Sequence, residues 1–318
     1  MIPSIGDLRA ARARLGDGPH RTPLLSSRHL SEVAGGPVFL KTENLQRAGA
    51  FKFRGALHAV RTLDEAARAR GVCTYSSGNH GQALALAARN EGLRAVVFMP
   101  EDAPPVKVAA ARGYGAEVRF AGTTSTDRRT AAEAAVADEG LTVIPPFDDP
   151  RIIAGQGTVG LELMEDAPET GVVIVPVGGG GLASGVTIAV KAARPTARVI
   201  GVEPVGSDAW GAARAAGEPV DIPAPTTIAD GLKPLRLGVL TYEVLAGAGA
   251  ESITVTDDEI LDAMRFLASR ARLIVEPSGA VGVAALITGK VTLEGETGVV
   301  VLSGGNVDPQ LLARVLTS

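Results

Sequence analysis

Along the chain, short uninterrupted apolar runs alternate with longer alanine-rich segments whose apolar positions recur at helical spacing. The short runs read as strands: residues 38–42 (VFLKT), 72–76 (VCTYS), 95–99 (AVVFM), 116–120 (AEVRF), 141–144 (LTVI), 172–177 (VVIVPV), 197–203 (ARVIGVE) and 297–303 (TGVVVLS). The segments between them predict helices over 54–70, 81–91, 105–112, 124–139, 154–166, 182–193, 257–272 and 279–288. Strands that are apolar throughout are covered on both faces. The pattern therefore predicts an α/β fold of largely parallel, open twisted sheets flanked by helices. Residues 71–148 form a compact series of short strand–helix units closing in the turn PPFDDP. They predict a small domain inserted in a large one built from 1–70 and 149–318. Ligands of open α/β sheets sit beyond the carboxyl ends of the strands, so the cleft between two such sheets is the expected site.

Composition narrows the partners. A net charge of −4, with no Lys/Arg runs, argues against nucleic acid. The single cysteine, Cys73, has no partner for an internal disulfide, which favours a reducing, cytoplasmic setting. The uncharged run 172–190 is long enough for a membrane span, but Pro176 and four successive glycines interrupt it, so no membrane partner is expected. The arginine-rich segment 8–21 lacks an apolar signal core and reads as a surface helix.

Five stretches carry candidate chemistry. Lys52, one of six lysines, sits between Phe51 and Phe53. Its stem is long enough to run along these rings with the charge in water, or its amine is dry and nucleophilic. At 172–193 a strand runs into Gly178-Gly179-Gly180-Gly181 and then a helix, a backbone arrangement suited to phosphate. The same stretch also fits a dinucleotide fingerprint, Gly178-x-Gly180-x-x-Ala183 with Glu203 as ribose ligand, which would make the protein a nicotinamide-dependent oxidoreductase. Ser76, Ser77, Asn79 and His80 start another helix after a strand, suited to a carboxylate, although plain N-capping also accounts for them. Ser303 ends a strand before Gly-Gly-Asn, and Glu276 precedes a small-residue helix. His20, His29 and His58 have no metal-ligand spacing.

Taken in order, Gly-Ala-Phe-Lys, Ser-Ser-Gly-Asn-His, Gly-Gly-Gly-Gly, Glu-Pro-Ser-Gly and Ser-Gly-Gly-Asn run from about Arg21 to Asp308, with IAGQGT at 153–158 and TIADGL at 227–232. This order resembles the serine/threonine dehydratase and serine racemase family, pyridoxal-phosphate (PLP) enzymes of the tryptophan-synthase-β fold type (fold type II). The resemblance implies that Lys52 forms the Schiff base with the cofactor aldehyde and that Phe51 packs near its ring. Asn79 is implied to meet the 3′-oxygen, Gly178, Gly179, Gly180 and Gly181 the phosphate, and Ser303 the pyridine nitrogen. Ser76, Ser77, Asn79 and His80 would receive the substrate carboxylate, and Glu276 would line the cofactor site. Ser77 would also be the proton donor opposite Lys52 in a racemase.

The implied activity is dehydration of a small β-hydroxy amino acid, by default L-serine or L-threonine, to a 2-oxo acid and ammonia. Serine racemisation and action on hydroxyaspartate are the alternatives. Arg128, Phe147 and Arg236 are candidates for the wall facing the substrate side chain. Relatives that bind a divalent metal use an acid at the Glu203 position, a carbonyl four residues on and an acid six residues on. Here those later positions are Ser207 and Ala209, with Asp208 one place short, so no metal is expected. Relatives are dimers or tetramers, and a homodimer or homotetramer is expected. With Ser318 as the last residue, feedback through a following regulatory domain is not expected.

Overall fold

The structure, a computed structural model, describes residues 1–318 apart from Ser77, Pro104 and Ser318, and the backbone alone of Ser125. Its strands are β1 (Leu24–Ser26), β2 (Val38–Lys41), β3 (Val72–Thr74), β4 (Ala95–Met99), β5 (Glu117–Phe120), β6 (Thr142–Val143), β7 (Thr170–Pro176), β8 (Arg198–Pro204), β9 (Glu251–Val255) and β10 (Thr297–Val301). They form a six-stranded sheet in the order β1-β2-β10-β7-β8-β9 and a four-stranded sheet in the order β5-β4-β3-β6. Every pairing is parallel except β1 with β2. β7 is buried over its whole length, as a central strand covered by helices on both faces must be. The expected α/β class and the two helix-flanked sheets are therefore present.

Helix Pro150–Asp166 holds the site's two anchors in place. It is buried from Ile152 to Met164 and carries glycines at 155, 157 and 160. A Cβ at Gly155 would stand 2.7 Å from Gly55 Cα, and one at Gly157 would stand 3.0 Å from Gly185 O. The missing side chains let helix Lys52–Arg61 and helix Gly181–Ala193 pack against it almost backbone to backbone. The first of these helices begins at Lys52, and the second begins at the end of the glycine run.

Some expected elements differ. The helix predicted over 54–70 is two helices, Lys52–Arg61 and Glu65–Arg70. They are separated where the Asp64 side chain accepts the Ala67 amide at 2.7 Å and starts a new N-terminus. The helix predicted over 257–272 stays α-helical to Phe266, then widens into a π-turn, Leu267–Ala271, that stops at Arg272 with φ +59°. β1 and β9 had no counterpart in the pattern. β1 is three residues long, and β9 is half-exposed over most of its length, so neither presents an apolar run. Segment 8–21 is helical as far as Leu15, burying Leu8, Ala11 and Leu15 and leaving its arginines outside. Among the described residues no helix is long and apolar enough to cross a membrane.

Candidate active site

The Lys52 segment is clamped to the end of β10. Ala50 bridges Gly304, and Phe51 N donates to Ser303 O at 3.1 Å. Lys52 is half-buried, its Nζ donates to Pro146 O at 2.6 Å and lies 5.1 Å from the centre of the Phe51 ring. A carbonyl is a weak partner for an ammonium. Burial, with no compensating carboxylate among the described residues, lowers the pKa of Lys52 to about 8. The lysine is therefore a desolvated amine rather than a snorkelling charge.

The opposite wall is the glycine run. β7 delivers Gly178–Gly181 to the start of helix Gly181–Ala193, with Gly180 at φ +90° and no side-chain cap on that N-terminus among the described residues. Gly179 and Gly180 have no room for a side chain, and Gly178 and Gly181 are tightly packed. A Cβ on Gly178 would stand 3.0 Å from Gly231 O, one on Gly179 2.2 Å from the Phe147 ring, one on Gly180 2.7 Å from Thr241 Cβ, and one on Gly181 3.2 Å from Phe147 Cα. Gly179 O accepts from Thr241 Oγ1 at 2.8 Å, which satisfies that carbonyl within the loop. Uncapped amides at the positive end of a helix suit a phosphate. Pro146 and Phe147 join the two walls, because adjacent residues touch Lys52 and the glycine loop.

A third group closes the site from the four-stranded sheet. Asn79 opens helix Asn79–Asn90; its Nδ2 donates to Glu276 Oε1 at 2.7 Å, and its Oδ1 accepts from Asn306 Nδ2 at 2.9 Å. Glu276 N in turn donates to Gly304 O at 3.0 Å, next to Ser303. Burial pushes the Glu276 carboxyl up to about 7, while the Asn79 amide pulls the other way. Ser303 is buried, with Oγ 3.5 Å from Ser278 O. His80 is buried, with Nε2 2.9 Å from Ile144 O and Nδ1 without a partner among the described residues. Burial, followed by the nearby Lys52, pushes its pKa down to about 3, so the ring is neutral. Ser76 Oγ accepts from Gly78 N at 3.4 Å. Ser77 lies outside the described residues.

The sequence-predicted residues thus converge: Lys52 beside Ser303 through the backbone, Asn79 on Glu276, and the glycine loop one residue from Lys52's carbonyl partner. Asn306 and Pro146 also belong to the cluster. Asn306 was visible only as the end of the Ser-Gly-Gly-Asn run, and Pro146 acts through a carbonyl that any residue carries. Among the wall candidates, Phe147 is in place against Gly179, whereas Arg236 is exposed, donates to Pro219 O at 3.1 Å and lies 3.7 Å from Asp221. Arg128 is half-buried on helix Ser125–Glu139, with NH1 donating to Thr123 O at 3.4 Å.

Glu203 is engaged in a way that displaces the nicotinamide alternative. It is fully buried and accepts Trp210 N at 2.8 Å and Gly211 N at 3.1 Å, capping helix Ala209–Ala216 instead of facing a ribose. Burial raises its pKa well above the usual carboxylate range. Among the described residues no group of three or more His, Cys, Asp or Glu is placed to hold a metal ion.

A lysine whose burial lowers its pKa to about 8, beside an aromatic ring and across from an uncapped helix start, is the equipment of an enzyme that holds a phosphorylated aldehyde covalently. The chain matches the family described as pyridoxal-phosphate dependent enzyme over residues 15–304, and it belongs to that family. Its cofactor is pyridoxal 5′-phosphate, and the desolvated Lys52 amine and open glycine cradle fit that group. It is similar to an L-threo-3-hydroxyaspartate ammonia-lyase of Saccharomyces cerevisiae, 41% identical with 100% of this chain and 97% of the relative covered. It is also 41% identical to an L-threonine ammonia-lyase of Thermotoga maritima, covering 98% of this chain and 78% of the relative. The solved structure of maize serine racemase superposes with a TM-score of 0.95 at 38% identity, covering 99% of this chain and 97% of that one. The protein is therefore a PLP-dependent enzyme of the ammonia-lyase and serine racemase group.

Proposed function

We propose that the protein is a dehydratase (ammonia-lyase) of a small β-hydroxy amino acid, with L-serine or L-threonine the default substrate. The observation that carries this reading is the Lys52 amine, buried against Phe51 with its pKa lowered to about 8. Bound PLP supplies the electron sink that makes a substrate's α-hydrogen acidic and lets a β-hydroxyl leave. Lys52 would hold the cofactor aldehyde, and its Nζ would take the substrate's α-proton. The amides of Gly178, Gly179, Gly180 and Gly181 take the phosphate. Asn79, oriented by Glu276 and Asn306, meets the ring oxygen, and Phe51 packs near the ring. Ser303 Oγ meets the ring nitrogen as a neutral partner. Ser76, Ser77, Asn79 and neutral His80 receive the substrate carboxylate at the start of helix Asn79–Asn90.

Residues 71–148 act in this reading as a small domain inserted in a large one built from 1–70 and 149–318, and the working form is a homodimer or homotetramer. A reducing, cytoplasmic home follows from the lone buried Cys73, whose thiol burial pushes up to about 11. The test is 2-oxo acid release from L-serine, L-threonine and L-threo-3-hydroxyaspartate by wild type and Lys52→Ala. Release from L-serine or L-threonine, lost with the yellow absorbance in the variant, is the expected result; full activity in Lys52→Ala overturns the assignment.

A second reading, serine racemisation beside elimination, is favoured by the likeness to maize serine racemase. It assigns Ser77 as proton donor on the face opposite Lys52. Ser77→Ala is then expected to lose L-to-D interconversion while keeping L-elimination. Equal D-serine formation by both proteins removes Ser77 from the mechanism.

A further inference from the structure

Away from Asn79, the two sheets also meet through charge. Helix Pro105–Gly113 follows β4 and carries Lys107, whose Nζ donates to Asp230 Oδ2 at 2.9 Å. Asp230 begins the turn Asp230–Leu232 beside the six-stranded sheet, and its other oxygen accepts from Lys233 Nζ at 2.8 Å. This turn forms part of the site's wall. Gly231 O and Pro234 Cδ lie 3.0 and 3.3 Å from where a Cβ of Gly178 would be, and Gly231 N donates to Ser278 Oγ at 2.8 Å. The position of a Cβ on Gly231 is 4.0 Å from Glu276 Oε1. Two of the chain's six lysines thus converge on one aspartate at the wall shared by the glycine loop and Glu276. Lysine's long flexible stem keeps such a contact while the elements it joins shift.

We propose that Lys107 is a positioning residue whose ion pair with Asp230 draws helix Pro105–Gly113 across the cleft. The pair holds the Asp230–Leu232 turn against Gly178 and Glu276, and so retains the amino-acid substrate. This rests on the site assignment proposed above. Both partners are partly exposed, at 31% and 62% for their side chains, so the pair is screened by salt and tunes how firmly the turn is held without deciding whether the protein folds.

The experiment compares holoenzyme forms of wild type, Lys107→Met, Lys107→Arg, Asp230→Asn and Lys107→Met/Asp230→Asn, with the amino acid that wild type turns over. Lys107→Met is expected to raise KM about fivefold with little change in kcat, and Lys107→Arg to restore it. Wild-type KM is expected to rise with added sodium chloride, whereas that of Lys107→Met stays flat. The double variant is expected to be no worse than the worse single variant. Independently of turnover, hydrogen exchange of residues 105–113 in the substrate-free holoenzyme is expected to quicken in Lys107→Met. An unchanged KM and exchange rate in Lys107→Met, or fully additive losses in the double variant, overturn the proposal. A colourless, inactive wild type instead overturns the site assignment on which it rests.

Discussion

Lys52 and Glu276 are buried ionisable groups whose shifts point the same way, each toward its neutral form. For Lys52 the amine becomes nucleophilic as pH rises through about 8, well below the usual lysine value of 10.5. The rate at which cofactor-free protein captures added PLP is therefore expected to rise with a midpoint near that pH, followed by absorbance; a rate still climbing at pH 10 with no plateau contradicts it. For Glu276 the consequence is one of stability. Its folded pKa of about 7 exceeds the ordinary 4.5, so between those values the folded protein holds a proton that the unfolded chain has released. The group's stabilising contribution is full below about pH 4.5 and is lost as pH rises through 7, a change of about 3 kcal/mol. Glu276→Gln, which keeps an oxygen for Asn79, is expected to match wild type in denaturant unfolding at about pH 4 and to exceed it at about pH 8. Wild type and variant with the same pH dependence would place the charge elsewhere. The two phenylalanines beside Lys52 left its role open, and only the ordered motifs along the chain pointed to it; the raised carboxyl of Glu276 was not legible, because the burial that raises it comes from packing between segments far apart in sequence.

Among the elements, the glycine run shows why some of the site could be read directly. Strand, four glycines and helix are contiguous, so the local sequence alone specifies the loop. What presses on the loop is not contiguous: Phe147, Thr241 and Gly231 arrive from three separate segments. Gly179→Val places a branched side chain where the Phe147 ring lies and is expected to weaken PLP affinity at least tenfold by pushing the loop amides out of register. Equilibrium titration of cofactor-free protein measures this, and an unchanged dissociation constant would put the phosphate elsewhere. Strand legibility followed the same logic. β4 and β7, covered on both faces, were plain as apolar runs, whereas β1 rests on a three-residue antiparallel pairing with β2 that leaves no periodic trace. The split at Asp64 was written in sequence as a capping residue but was masked by the alanines on either side.

At the scale of the whole molecule, four buried charges join segments that sequence keeps apart. Arg54, two residues after Lys52, donates from Nε to Glu43 Oε2 at 2.9 Å and from NH1 to Glu162 Oε1 at 2.6 Å. Glu162 also accepts from Lys41 Nζ at 2.7 Å, and Lys41 Nζ reaches Thr22 O at 2.7 Å. The group links β2, the turn Glu43–Leu45, helix Lys52–Arg61 and helix Pro150–Asp166, with two positive charges balanced by two negative ones. Nothing in the local sequence announces it, since each residue taken alone reads as an ordinary surface charge. Burial raises the Glu43 carboxyl, but the Arg54 guanidinium outweighs it and holds the pKa below the usual value of 4.5. Glu43 therefore stabilises the fold above that pH and loses its contribution as pH falls through its lowered pKa. Glu162→Gln removes one negative charge from the centre, leaving Arg54 on Glu43 alone and buried Lys41 with only Asp166 Oδ2, 4.0 Å away. Because an uncompensated buried cation costs far more than a surface pair gains, this change is expected to lower unfolding free energy by about 3–5 kcal/mol at neutral pH. A double substitution, Glu162→Gln with Lys41→Met, restores neutrality and is expected to recover part of the loss. Denaturant unfolding of the three cofactor-free proteins decides it. If Glu162→Gln unfolds at the wild-type midpoint, water or rearrangement already satisfies the cations, and the network does not hold the Lys52 helix.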